Sequence, residues 1–583
     1  MSRSLLWSRL ASALAALALF GSAIPVHAQT EVLVSKGSPP SPFARNKQNE
    51  PGLAIDAMHP NVVVAGANDE IDLEACNAGN PSTCPFTAGV GVSGVYFSFD
   101  SGKTWTQPTY TGWSARDCLG PAACTPHVGP IGTLPWYFEN GLASDGDPSL
   151  AFGPRPGPQG FSWANGSRLY YTDLAANFGA TRSEQNFKGF EAIAVSRTDD
   201  VLAAAGPDGK GAWMPPVIVS RQNAALFSDH EQVWADNAAS SAFFGNVYVC
   251  FAAFRSQEKG NAVPAPIKLA RSTDGGDTWS ERQISAAVNN GRGMGRQDCG
   301  VRTDSRGTVY VFWQGGDTVG NTVQNAIFLA RSFDGGKTFE RPRAIAHFDG
   351  CGLVDPVSGD TTFDGLAGAR DGSFPSLDVA NGAPTGADAT DEIVVTWCDG
   401  PTPSTAAPGA NEQALVMWST NRGASFLGPL SASPTGDRPD FPAISISPDG
   451  QNVYLVYDNF LQPWQTTTAS ARGLQGVVRQ SVVGAGGALG AFADINRGTA
   501  GDARGASANS LTGEFLGDYN NVFATRTYAV AVWNDVRLAA DCPAVDAYRQ
   551  SLSTSSPLPA PAPNTDCPAN FGNSDIFGFT TAP

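Results

Sequence analysis

Basic residues are in short supply: 37 Lys and Arg stand against 54 Asp and Glu in 583 residues, a formal charge of −17. A surface of that sign repels phosphate backbones, which excludes nucleic acid as a partner of any extended face. Histidine is scarcer still, with five in all, and no CxxC pair is present, so the usual Cys/His zinc spacings are missing. The H-E-x-x-H and G-x-S-x-G runs are absent too, and with them the signatures of zinc proteases and α/β-hydrolases. After residue 28 no stretch approaches the ~20 apolar residues of a membrane span. Long helices are disfavoured as well, because 65 Gly and 42 Pro interrupt the chain every few residues.

Residues 1–28 have the pattern of a secretory signal, with Arg3 and Arg9 ahead of an apolar stretch at 10–20 and the small-residue site Val26-His27-Ala28. Removing them takes away two arginines and leaves a formal charge of −19. The expectation is a secreted or periplasmic, monomeric protein. Ten cysteines suit that oxidising compartment. Sequence proximity pairs Cys76 with Cys84, Cys118 with Cys124 and Cys542 with Cys567. Cys250, Cys299, Cys351 and Cys398 remain for two longer links, whose connectivity spacing does not decide.

One short pattern recurs. S-x-D-x-G-x-T-W/F occupies 98–105, 272–279 and 332–339, and a worn copy, STNRGASF, occupies 419–426. Its chemistry is that of a hairpin: the Asp accepts from turn amides, the Gly supplies a positive φ, and the aromatic packs between sheets. Around these copies run short β-branched and aromatic strands of the type V-Y-V-x-W, separated by Gly, Pro, Asn and Asp turns, in seven successive units. The pattern resembles the Asp-box, or BNR repeat, of sialidases and other secreted β-propellers. The resemblance implies an all-β propeller, one domain over residues 29–583, with seven blades by repeat count and six as the alternative. Units this long place the surplus residues in loop insertions, chiefly 71–90, 106–139 and 402–412. Residues 29–34 are expected to close the ring as an extra strand beside the last blade.

In a propeller the first strand of each blade lines the axis, so the polar clusters that begin the units should converge. Those clusters supply Asn49 and Glu50, Asp145 and Asp147, Asp229, His230 and Glu231, Arg296 and Asp298, Asp371, Arg438 and Asp440, and Asp518 and Tyr519. Each could instead cap a turn or bond a neighbouring blade. As a set they form a polar funnel suited to two chemistries: glycoside cleavage by acidic groups or a Tyr nucleophile, and cation binding, with Ca²⁺ the ion such carboxylates could take.

Resemblance to sialidases implies an arginine clamp for an acidic sugar and a Tyr–Glu nucleophile pair. The matching positions are Arg45, Arg296, Arg438 and Arg537 for the clamp and Glu231 with Tyr519 for the pair. Asp147 is a further catalytic carboxyl, and Glu50, Asp298, Asp440 and Asp518 are substrate-binding acids. The F/Y-R-I-P segment of sialidases is missing, and Phe43-Ala44-Arg45-Asn46 is its nearest counterpart. The expected function is action on extracellular glycans or glycoproteins, as an exo-glycosidase of sialidase type on sialylated or other acidic sugars. The alternatives are a non-catalytic glycan- or protein-binding propeller and a polysaccharide lyase using His230, Tyr519 and Arg296.

Overall fold

A computed structural model describes residues 30–36, 43–76, 78, 80, 87–118, 125–179, 181, 183–255, 265–288, 294–371, 374–400 and 412–583. The expected signal at 1–28, the 402–411 part of one insertion, and Cys84 and Cys124 lie outside these residues.

Seven sheets of three to five strands follow one another along the chain, each an antiparallel meander. Their first strands are Gln48–Ile55, Ser149–Gly157, Leu226–Ala235, Arg296–Thr303, Ser376–Val379, Pro439–Ile446 and Asn521–Ala524, which define blades 1 to 7. Each of these packs on the next, and the seventh returns to the first, so the architecture is a seven-bladed β-propeller. The seven-unit count is met and the six-blade alternative is not. Among the described residues helices are few, the longest being Pro543–Ser551, with Pro543 at its first turn.

The ring closes as expected. Val32–Leu33 pairs with Asp575–Thr580, Val32 opposite Gly578 and Leu33 opposite Phe577, so blade 7 combines both ends of the chain. Buried apolar clusters fill the spaces between blades, because strands covered on both faces turn aromatic and β-branched side chains both ways. Disulfides join Cys250 to Cys299 across blades 3 and 4, Cys351 to Cys398, and Cys542 to Cys567. Cys76 and Cys118 are also disulfide-bonded.

Each box follows the third strand of its blade. In blade 4, Asp334 accepts from the Thr338 amide at 2.8 Å and its hydroxyl at 2.6 Å, while Ser332 Oγ accepts from the Gly336 amide at 2.8 Å. The residue after the Asp then presents its carbonyl to the preceding blade. Thr580 donates to Ser101 O at 2.7 Å, Arg168 to Gly275 O at 2.8 Å, Arg271 to Gly335 O at 3.0 Å and Arg331 to Arg422 O at 2.8 Å. All four acceptor residues have positive φ, which turns the carbonyl outward. In a meander the third strand ends on the face opposite the start of the first, so the boxes sit away from the funnel mouth.

Candidate functional site

The first strands of blades 1, 3, 4 and 6 share an irregularity at their starts. Pairing with the second strand slips between Asn49 and Gly52, Asp229 and Gln232, Gln297 and Gly300, and Asp440 and Ala443. Within each slip one non-glycine residue is left-handed: Glu50 (φ 58°), His230 (54°), Asp298 (59°) and Phe441 (51°), with Asp147 (54°) just before the first strand of blade 2. Such a conformation costs of order 1 kcal/mol or more per residue, and within the four slips it accompanies a bulge that re-aims side chains. The repeated strain gathers five side chains at one mouth of the axis.

Six acids crowd there around one arginine. Asp147 hydrogen-bonds with both Glu50 and Asp229, which requires a proton within the trio. Asn68 fixes the first member, donating to Glu50 Oε2 at 2.6 Å while its own Oδ1 accepts from the Asp147 amide at 2.8 Å. Burial first, and then the charge of Glu50, push Asp147 well above the usual carboxylate range and Asp229 up to about 6. Asp518 is pushed up to about 7 by burial, although Arg370 opposes the rise by donating through Nε at 2.6 Å and through Nη2.

Glu231 differs from the others. It is 3% exposed, lines the funnel, and neither carboxyl oxygen has a hydrogen-bond partner. Burial raises it far above an ordinary Glu, which favours the protonated form. Tyr519 lines the same space. Burial and then the carboxyls of Asp147, Glu50 and Glu231, in that order, drive the phenol well above its usual range.

His230 stands between the two halves of the site. Its ring meets Phe374 edge-on at 4.6 Å and Tyr519 at 5.3 Å, and Nδ1 lies 3.4 Å from Asp298 Oδ1. Proximity to a carboxylate would ordinarily raise a histidine, yet burial and Arg370 lower His230 to about 3. Burial raises Asp298 as well, so both partners of this contact are pushed toward their neutral forms. Gln314 donates to the other Asp298 oxygen.

Glu50, Asp147, Glu231, Asp298, Asp518 and Tyr519 are therefore brought together as expected from their repeat positions. Asp440 lies fully buried, its carboxyl hydrogen-bonded with Asp371. The four expected clamp arginines are not brought together. Arg438 forks onto Glu412 with two 2.9 Å bonds, and Arg537 pairs with Asp535 and Glu31. Arg296 donates to backbone carbonyls over the Phe328 ring, and Arg45 donates to Arg116 O. No Tyr519–Glu231 hydrogen bond forms either. The cation at the mouth is Arg370, 3.9 Å from Glu50 and 5.0 Å above the Phe515 ring. Its only sequence signal is that it precedes Asp371.

Among the described residues no group of three or more His, Cys, Asp or Glu is arranged to hold a metal ion. The funnel acids are held by the hydrogen bonds of Asp147 with Glu50 and Asp229 and by the pairing of Asp518 with Arg370. At the floor, Arg302 donates to Asp378 at 3.3 Å and lies 4.6 Å over Trp234, separating the funnel from a second cavity at the other end of the axis.

No family model matches the chain, and no curated protein matches it. Solved structures similar to it include a Hadza microbial sialidase, at 14% identity over 70% of this chain and 63% of that one (TM-score 0.36). Another is Trypanosoma rangeli sialidase in complex with the inhibitor DANA, at 11% identity over 74% and 57% (TM-score 0.38). A third is the α-L-arabinofuranosidase of Fusarium graminearum, at 12% identity over 74% and 92% (TM-score 0.35). The chain spans 63% and 57% of the length of the two sialidases. Similarity this low transfers no residue role.

Proposed function

We propose that this chain is an exported glycoside hydrolase acting on extracellular glycans, with residues 1–28 as its export signal. The observation that carries the reading is Glu231, a buried carboxyl that lines the funnel with no hydrogen-bond partner and is raised by burial, with Asp229 of the Glu50–Asp147–Asp229 trio close enough to raise it further. One proton donor and one proton acceptor around a single space are what hydrolysis of an acetal needs. Glu231 gives its proton to the glycosidic oxygen as the bond from that oxygen to the anomeric carbon breaks. A water attacks the anomeric carbon and passes its proton to the trio. Exchange with solvent then restores both groups. Arg370 and Asn68 hold the trio in register, and the phenol of Tyr519 donates to the sugar.

Direct attack by water inverts the anomeric centre. The test is turnover of a panel of 4-methylumbelliferyl glycosides followed by NMR of the first product anomer. Inversion, together with loss of turnover in Glu231→Gln, supports the mechanism. Retention with label trapped on Tyr519 would transfer the nucleophilic role to the phenol. A lyase reading has one observation behind it, the neutral His230 ring against Tyr519, and would show itself as an unsaturated product with strong ultraviolet absorbance.

A further inference from the structure

We infer that the funnel takes an uncharged glycan and rejects sialylated and uronic-acid sugars, an inference that rests on the glycan-cleaving reading above. Charge and pairing in the funnel carry it. Among the described residues, the cations within reach are already committed. Arg370 is forked onto Asp518 with Glu50 beside it, and Arg302 is tied to Asp378 at the floor. Lys47, under Phe515, lies 3.8 Å from Glu70. A sugar carboxylate entering this space would find six acids and no unpaired guanidinium. Its desolvation would go uncompensated, the situation in which a buried charge is most costly.

Glu231 supplies the second, independent observation. Its carboxyl is more than nine-tenths buried, lines the funnel and has both oxygens unpartnered. An unmade hydrogen bond in a buried place is a cost that a ligand can remove. Protonated, this carboxyl both donates and accepts, which matches a sugar oxygen or hydroxyl. A sugar carboxylate in its place would bring no donor to the free acceptor oxygen. Tyr519 adds a phenol to the lining, and Asp298 leaves one oxygen without a hydrogen bond. The arrangement is complementary to hydroxyl groups and ring oxygens.

The test measures kcat/KM of the full exported chain on 4-methylumbelliferyl α-L-arabinofuranoside, β-D-galactoside and β-D-glucoside against the matching α-sialoside and β-glucuronide. The best neutral substrate is expected to exceed both acidic ones by about 100-fold. In Asp518→Asn, which removes an acid outside the proposed proton-transfer groups and releases Arg370 from its fork, that ratio should fall, because an acidic sugar then meets an unpaired guanidinium. An acidic substrate turned over as well as the neutral ones, or a ratio that Asp518→Asn leaves unmoved, overturns the inference. If no glycoside is cleaved, the hydrolase reading fails by itself, and labelled protein on a glycan array then reads the charge preference. Binding confined to neutral glycans sustains it, while binding to sialylated or uronate glycans, or to none, overturns it.

Discussion

Glu231 and Tyr519 make opposite demands on their surroundings, and single substitutions separate them. If Glu231 is the proton donor, Glu231→Gln should lower kcat by about 10²–10⁴-fold with little change in KM, since the amide keeps the shape and loses the proton. Tyr519→Phe should cost only about tenfold, the scale of one hydrogen bond to substrate. A loss for Tyr519→Phe as large as that for Glu231→Gln would identify the phenol as the nucleophile. At this scale the acids were legible in the sequence because each begins a repeat, and repeat register brings Glu50, Asp147, Glu231, Asp298 and Asp518 to one mouth. The arginines were not. A guanidinium on a long stem goes to whatever carboxylate the loops offer, and Glu412 and Glu31 lie outside any repeat position. Arg370 escaped notice for the same reason, sitting in the connector ahead of blade 5.

At the scale of the element, the box is both a turn and a joint. Its Asp organises the hairpin, and the next carbonyl accepts a donor from the preceding blade. The worn copy shows how much of this survives without a carboxylate. Asn421 still accepts from the Ser425 amide at 2.9 Å and still turns the Arg422 carbonyl toward Arg331. We therefore expect Asp334→Asn to cost well under 1 kcal/mol and Asp334→Ala about 1–2 kcal/mol, read as the shift in a denaturant-unfolding midpoint. Activity should stay within about twofold in both, because the boxes lie on the face opposite the funnel. A large drop in kcat with an unmoved midpoint would contradict that placement. The hairpin chemistry of the boxes was readable from S-x-D-x-G-x-T-W/F alone. The inter-blade bond was not, because its donor belongs to the preceding blade and sits at no fixed spacing from the box. The left-handed bulges were also hidden, since Glu, His, Asp and Phe carry none of the glycine signal that usually marks positive φ.

For the whole molecule, ring closure and proton uptake act on the same fold. The seven blades and the closing strand were visible as repeats, but whether the axis would be open, plugged or acidic depended on side chains meeting from all blades at once. The funnel turned out to store protons, and that has a thermodynamic sign. Asp229 at about 6, Asp518 at about 7 and the buried Asp236 at about 7 all lie above the ~3.9 of an unfolded Asp. The folded state thus binds these protons more tightly. Their stabilising contribution is full below pH ~4 and is lost as pH rises through 6 to 7. The box carboxylates act the other way. Asp334, lowered to about 2 by its hydrogen bonds with Thr338 against a burial that opposes them, contributes above pH ~4 and loses its contribution as pH falls toward 2. Asp100 and Asp274 are lowered for the same reason and add to the acid limb. Together the two groups place maximum stability on the acidic side of neutrality, near pH 4–5, with a decline toward pH 7 that depends on the funnel. Urea unfolding across pH 3–8 measures this directly. Asp229→Asn should flatten the decline between pH 4 and 6 while leaving the acid limb in place, because it removes one titrating group of the funnel and none of the boxes. A stability maximum above pH 7, or a decline that Asp229→Asn leaves unchanged, would mean that the funnel acids are ionised in the folded protein, and Glu231 could then no longer be its proton donor.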